Sequence, residues 1–185
     1  MSHPYVIGVT GGIATGKSTI LAMLGDRGAV LIDADAVYHE LIAPGLQLWQ
    51  DLHDRFGDGI VGPEGNIDRK ALGAIVFSDT SALEDLERLT HPAVVREIER
   101  RIVATTSAVV AVDAVKLSES GLGQACDQIW LVTCDEEVQR ARLMARNHLS
   151  PEEAKLRLAA QPDREQHAKI ADVIIDNSGA LEETT

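Results

Sequence analysis

The stretch Gly11-Gly12-Ile13-Ala14-Thr15-Gly16-Lys17-Ser18 constrains this chain more than any other. It fits G-x-x-x-x-G-K-[ST], follows the apolar run Tyr5–Thr10 and opens a helical stretch, Thr19–Leu24. A strand that breaks into such a loop and then a helix turns backbone N–H groups toward an anion. Unpaired N–H groups and the helix dipole both favour negative charge there. Gly11 and Gly16 permit backbone angles that a Cβ would forbid. In this setting Lys17 reaches the β- and γ-phosphates of a nucleotide and the Ser18 hydroxyl coordinates Mg²⁺. The bland alternative is a glycine-rich turn with a chance lysine, and it has to produce both flanking elements by accident.

The rest of the chain supplies a sheet for that loop to cap. Four more β-branched runs, Ala29–Asp33, Ala108–Asp113, Gln128–Thr133 and Asp172–Asp176, are mostly continuous rather than alternating. That is the pattern of a parallel sheet covered on both faces. Helical patterns separate the runs, so the class is α/β. At 185 residues and 45% hydrophobic content, the chain is long enough for one domain with a sizeable core.

The gap from Ala34 to Ser107 reads as a helical insertion. Leu48, Leu52 and Phe56 recur at helical spacing, with Trp49 widening the face. Asp68 caps a helix through Phe77, Ser81 caps another through Leu89, and Pro92 starts a third that runs to about Thr105. Val94, Val95, Ile98 and Ile102 of that third helix point inward. Further on, Asp135 caps a helix through Arg146. Ser150-Pro151-Glu152-Glu153 then reads as a capping box opening a helix that ends before Pro162.

Charge narrows the partners. Lys and Arg number 17 against 29 acidic residues, a formal net charge of −12. Such a surface repels nucleic-acid backbones and anionic membranes, so neither is an expected partner. The charge is uneven, however. Arg140, Arg142, Arg146, Lys155, Arg157 and Arg164 share one stretch with only Glu152, Glu153 and Asp163. Cys126 and Cys134 match neither a disulfide framework nor a zinc pattern, and read as buried side chains of a reducing compartment. With no signal peptide and no apolar run of ~20 residues, a cytoplasmic location is expected.

A nucleotide site does not specify a reaction. Asp33 ends the second strand, where a carboxylate can accept the proton of an attacking hydroxyl; helix capping is its alternative. Asp35 can hold a magnesium-bound water or cap the next helix. Asp113, at the end of the third run, stands where carboxylates hold magnesium. Lys116 and Glu119 follow at the same edge and either contact substrate or are solvated. Arg142 and Arg146, four apart, share a helix face that can bear on a transferring phosphoryl group or on solvent. His91 by itself reads as structural. The sequence has no Asn-Lys-x-Asp for guanine, which disfavours a GTPase.

Taken together, these residues resemble the dephospho-coenzyme A kinase family nearly end to end. The resemblance rests on Ile7-Gly8-Val9-Thr10-Gly11-Gly12-Ile13 leading into Gly16-Lys17-Ser18-Thr19, on Ile32-Asp33-Ala34-Asp35, and on Phe56-Gly57. It continues with Gly65, Ile67-Asp68-Arg69, His91-Pro92, Leu117, Glu119, Asp127, Arg142-Leu143, Arg146, Gln161, Lys169, Ala171-Asp172-Val173-Ile174, and Asn177 with Gly179. It implies a P-loop fold with a five-stranded parallel sheet in order 2-3-1-4-5 and helices on both faces. It also implies a coenzyme-A-side insertion over 36–107 and a mobile helical lid over 138–165.

The implied reaction is ATP-dependent phosphorylation of the ribose 3′-hydroxyl of dephospho-coenzyme A, with Mg²⁺, in a monomer or weak homo-oligomer. Asp33 would be the base, Lys17, Arg142 and Arg146 would face the phosphates, and Gly11 through Thr19 would hold the nucleotide. Asn177 and Gly179 would lie near the adenine, and Asp35, Arg69, His91 and Glu119 near the acceptor. Three departures stand out: Ala14-Thr15 where Gly-Ser is usual, Val115-Lys116-Leu117 where Pro-Leu-Leu is usual, and an end at Thr185 where members usually continue through another helix. Ala14 then has to adopt angles that alanine tolerates. Two rival functions remain open: a kinase of the same fold acting on a nucleoside monophosphate or shikimate-like acceptor, and a nucleotide-dependent switch with no small acceptor.

Overall fold

Valine and isoleucine dominate the strands of the computed structural model, which describes residues 3–117, 119–161 and 164–179, with backbone alone for 164–166. Pro162, Asp163, the Arg164 side chain and residues 180–185 lie outside the described residues, and so does that part of the expected lid. The strands are β1 (Tyr5–Gly11), β2 (Val30–Asp33), β3 (Val109–Asp113), β4 (Gln128–Thr133) and β5 (Val173–Asp176), in the sheet order β2-β3-β1-β4-β5. β1 pairs in parallel with β3 and β4, and β4 with β5. The register sets Val9 beside Asp113 and Gly11 beside Val132, so the C-terminal ends of the central strands gather where the phosphate loop begins.

Period-2 geometry explains the continuous apolar runs. Ile7 and Val9 of β1 pack with Ala111, Val132 and with Ile20 and Leu21 of α1 (Lys17–Asp26). The alternate residue Gly8 meets Leu117 and the Cys126 thiol, which occupy the space a Cβ there would need. Both faces are therefore filled, and each buried Val or Ile contributes about 1.5–3 kcal/mol relative to exposure. Two aspartates fasten the strand entries: Asp127 Oδ2 accepts the Val6 N–H at 2.7 Å and Asp172 Oδ2 accepts the Ile129 N–H at 2.8 Å.

Two compact units emerge. One holds the residues up to Ile32 together with those from Thr105 onward; the other is Asp33–Ala104. The second unit is helical: α2 (Ala34–Leu41), α3 (Gln47–Phe56), α4 (Arg69–Val76) and α5 (Thr80–Ala104). Leu48, Leu52, Ile60, Leu72 and Val76 form its core. Asp68 caps α4 as expected, its Oδ1 accepting the N–H groups of Lys70 and Ala71.

The helices expected from Ser81 and from Pro92 are a single helix, α5. Asp79, not Ser81, receives the first N–H groups, those of Ser81 and Ala82. Pro92 sits inside. It removes the bond its own N–H would have made to the Arg88 carbonyl and its ring crowds that carbonyl, a cost of about 3 kcal/mol, and the helix nonetheless runs on from Thr80 to Ala104. Ile98 and Ile102 are buried as expected, while Val94 and Val95 are half-buried.

After β4 come α6 (Glu136–Asn147), α7 (Pro151–Ala159) and α8 (Arg164–Ile170). The capping box at α7 forms in full: Ser150 Oγ accepts the Glu153 N–H and Glu153 Oε2 accepts the Ser150 N–H. Asp135 holds the cap position of α6 but its side chain makes no cap bond. Its own N–H goes to Ser178 Oγ at 2.8 Å, so the turn after β5 anchors the start of α6 instead.

Candidate active site

Sterics first decide the shape of the phosphate loop. Gly11 has φ +156°, and a Cβ there would lie 2.6 Å from the Val132 carbonyl oxygen. Gly16 has φ +94°, and a Cβ there would lie 1.9 Å from Asn177 Nδ2. Neither position admits a side chain. Ala14 is the exception to the expectation that its angles suit alanine, because it sits at φ +61°, in the left-handed region. That conformation costs a residue with a Cβ about 1–2 kcal/mol.

Neighbouring side chains offset this cost. Gln161 Oε1 accepts the Ile13 N–H at 3.0 Å, and Gln139 Nε2 donates to the Ile13 carbonyl at 2.7 Å. Thr15 Oγ1 donates to the Gly12 carbonyl at 2.9 Å, and Asn177 Nδ2 to the Thr15 carbonyl at 2.9 Å. At roughly 0.5–1.5 kcal/mol each, these bonds suffice to hold the loop open. Both Ile13 peptide groups are thereby committed to side chains. The Asn177 amide is committed to the loop backbone, and the residue is only 5% exposed. Gly179, two residues on, is exposed.

Charges gather around this loop. Lys17 forms an ion pair with Asp113 at the end of β3. Arg142 Nη1 donates to the Asn177 carbonyl at 2.9 Å and lies 3.7 Å from where a Gly16 Cβ would stand. Arg146, one turn further along α6, is exposed and bonds Asn147 Oδ1 at 3.2 Å. Ser18, exposed at the start of α1, and Asp113 are both hard oxygen donors. Mg²⁺ commonly takes one or two such protein oxygens and completes its shell with phosphates and water, so these residues fit that ion. A cavity of about 620 Å³ opens beside the loop, lined by Gly12, Thr15, Gln139, Lys155, Gln161 and His167 among others.

Beyond β3, Val115 accepts the Thr10 hydroxyl at 3.2 Å and Leu117 is fully buried under Gly8. The unusual Val-Lys-Leu segment thus packs against β1. Glu119 is exposed.

In the helical unit, Asp33 is the cap of α2. Its Oδ1 accepts the N–H groups of Asp35 and Ala36 at 2.8 and 3.1 Å. Among the described residues no hydrogen bond engages Oδ2, so the cap uses one oxygen of the carboxylate and leaves the other over. Asp35 is exposed in the first turn of α2. Arg69 is the exposed first residue of α4; its charge acts on Tyr38, whose hydroxyl pKa burial nonetheless raises. His91 is half-buried on α5.

A nucleotide-type loop at the head of a sheet in this strand order defines the P-loop kinases as a fold class. A shikimate kinase from Bacteroides thetaiotaomicron shares that fold with a TM-score of 0.53 at 14% identity, covering 93% of this chain and 86% of its own. The family model for dephospho-CoA kinase matches residues 5–183. A Symbiobacterium thermophilum dephospho-CoA kinase is 47% identical over 97% of this chain and 76% of its own length. One from Geobacter sulfurreducens is 45% identical over 96% of this chain and 92% of its own. Among solved structures, a dephospho-CoA kinase from Campylobacter jejuni superposes with a TM-score of 0.70 at 31% identity, covering 97% of this chain and 90% of that one. The chain belongs to the dephospho-CoA kinase family.

Proposed function

We infer that the chain transfers the γ-phosphoryl group of ATP to the ribose 3′-hydroxyl of dephospho-coenzyme A, yielding coenzyme A and ADP, the last step of coenzyme A synthesis. The observation that carries this reading is the convergence of Lys17, Asp113 and Arg142 on a phosphate loop held open by four side-chain hydrogen bonds, in a chain of this family.

The derivation runs from charge. Phosphoryl transfer spreads negative charge over the three equatorial oxygens, so catalysis is mainly positioning and electrostatics. N–H groups of the loop beyond Ile13, and Lys17 once it leaves Asp113, bear on the β- and γ-phosphates. Arg142 adds a guanidinium from α6, and Arg146 a second one turn along. Mg²⁺, held by Ser18 and Asp113, would supply charge neutralisation across the phosphates. Asp33 is the proton acceptor for the 3′-hydroxyl through the oxygen its cap bonds leave over. Asp35, Arg69, His91 and Glu119 serve the acceptor, and Gly179 lies by the adenine. The unit 33–104 carries the coenzyme-A side and the helices over 138–165 act as the lid. The enzyme works in the cytoplasm as a monomer or weak homo-oligomer.

ADP release with ATP and a panel of acceptors tests this reading. Dephospho-coenzyme A should give turnover far above nucleoside monophosphates and shikimate. Equal or better turnover with another acceptor overturns the assignment, as does slow hydrolysis indifferent to all of them.

A further inference from the structure

The N–H and the C=O of Ile13, which belong to successive peptide planes, are each gripped by a side chain from one stretch of chain. Gln139 lies on α6 and Gln161 just beyond α7. The polarity is fixed by the backbone, because Gln139 must present its NH₂ to a carbonyl and Gln161 its oxygen to an N–H. The next residue is Ala14, in the left-handed conformation that disfavours a Cβ. Gln161 holds the Gly12–Ile13 peptide plane by its N–H and Gln139 holds the Ile13–Ala14 plane by its C=O, and rotation of the second plane is what would let Ala14 fall back to a right-handed or extended conformation. The loop N–H groups that face the nucleotide come immediately after.

We propose that Gln139 and Gln161 are positioning residues for the nucleotide: they lock the two peptide planes flanking Ile13 so that Ala14 stays left-handed and the phosphate loop is preset for ATP. The segment bearing α6 and α7 thereby acts on ATP affinity through the two peptide bonds of Ile13. Neither glutamine needs to touch substrate. Glycine at position 14 makes the lock dispensable, since glycine enters the left-handed region as readily as the right-handed one.

The inference rests on ATP as phosphoryl donor, and equilibrium binding of ATP tests it without the acceptor. Gln139→Met and Gln161→Met keep side-chain length and remove the polar contacts. Each should weaken ATP binding roughly three- to tenfold, the worth of one lost hydrogen bond. kcat at saturating ATP and KM for dephospho-coenzyme A should stay within twofold. In the Ala14→Gly background the same substitutions should cost less than twofold. A merely structural role would lower the melting temperature and lose the same factor in both backgrounds, which overturns the proposal. Wild-type ATP affinity in both Met variants, or a fall in kcat with affinity unchanged, overturns it as well. If Gln161→Met does not fold, Gln161→Asn, one methylene too short to reach Ile13, carries the same comparison. Wild-type protein that binds ATP but does not phosphorylate dephospho-coenzyme A overturns the function and leaves the lock readable. Failure to bind ATP overturns both.

Discussion

Ala14 shows how much a single torsion angle matters at the residue scale. At φ +61° it carries a penalty that glycine would not. Ala14→Gly should therefore stabilise the fold by up to about 1 kcal/mol after the extra chain entropy of glycine is counted, raising the melting temperature by roughly 2–4 °C. A lower melting temperature would show that the strain is not there. Lys17 is a matter of charge. Lys17→Ala should leave the fold intact and cut the rate by about 10²–10³, because transition-state charge loses a preorganised cation. Near-wild-type turnover in a folded variant would contradict the role of the loop. For Asp33 the cap is one role and the proposed proton acceptance a second. Asparagine caps about as well through the same oxygen, so Asp33→Asn should melt like wild type. It accepts a proton poorly, so kcat should fall by roughly two orders of magnitude or more with ATP binding kept. Unchanged kcat would leave Asp33 as a cap alone.

At the scale of elements, what could be read from sequence was what is local. The strand–loop–helix order at Gly11–Ser18, the Asp68 cap and the Ser150 capping box all depend on residues within a few positions of each other, and all form. What could not be read is long-range. Gln161 and Gln139 meet Ile13 across 148 and 126 positions, and Asn177 meets Thr15 across 162. Nothing in a spacing pattern singles out Gln139, and Gln161 stood out only as part of a family resemblance. Pro92 misled for a local reason too: a proline suits a first turn, yet a helix as long as α5 absorbs one missing bond. That helix has a pH signature. Arg100 and Arg101 bond the Glu97 carboxylate and hold its pKa down from 4.5 to about 2. A lowered folded-state pKa means the stabilisation is complete above pH 4.5 and is lost as pH falls toward 2. Acid unfolding followed by circular dichroism should show this limb in wild type, and Glu97→Gln should flatten it within that window. An unchanged acid limb in the variant would mean the ion pairs contribute nothing.

For the whole molecule the governing fact is a net charge of −12 in a protein whose substrates are anions. The excess of arginine and lysine between Arg140 and Arg157 runs against that net charge, and α6 brings one of these arginines, Arg142, beside the loop; on the proposed function it answers the repulsion between protein and substrate. A cationic segment drawn to bound anions should close over them. Amide exchange across residues 140–161 should slow when ATP and dephospho-coenzyme A are both bound, while exchange in the α4 core stays as it was. Equal exchange with and without ligands would make these arginines a solvated surface.

The most direct measurement is the site of phosphorylation itself. Purified protein, γ-labelled ATP, Mg²⁺ and dephospho-coenzyme A should yield one labelled product with the mass of coenzyme A, and phosphorus NMR should place the new phosphate on the ribose 3′-oxygen. Lys17→Ala, folded and assayed beside it, should yield almost none. Label in inorganic phosphate alone, or on any atom of the acceptor other than that oxygen, would contradict the account.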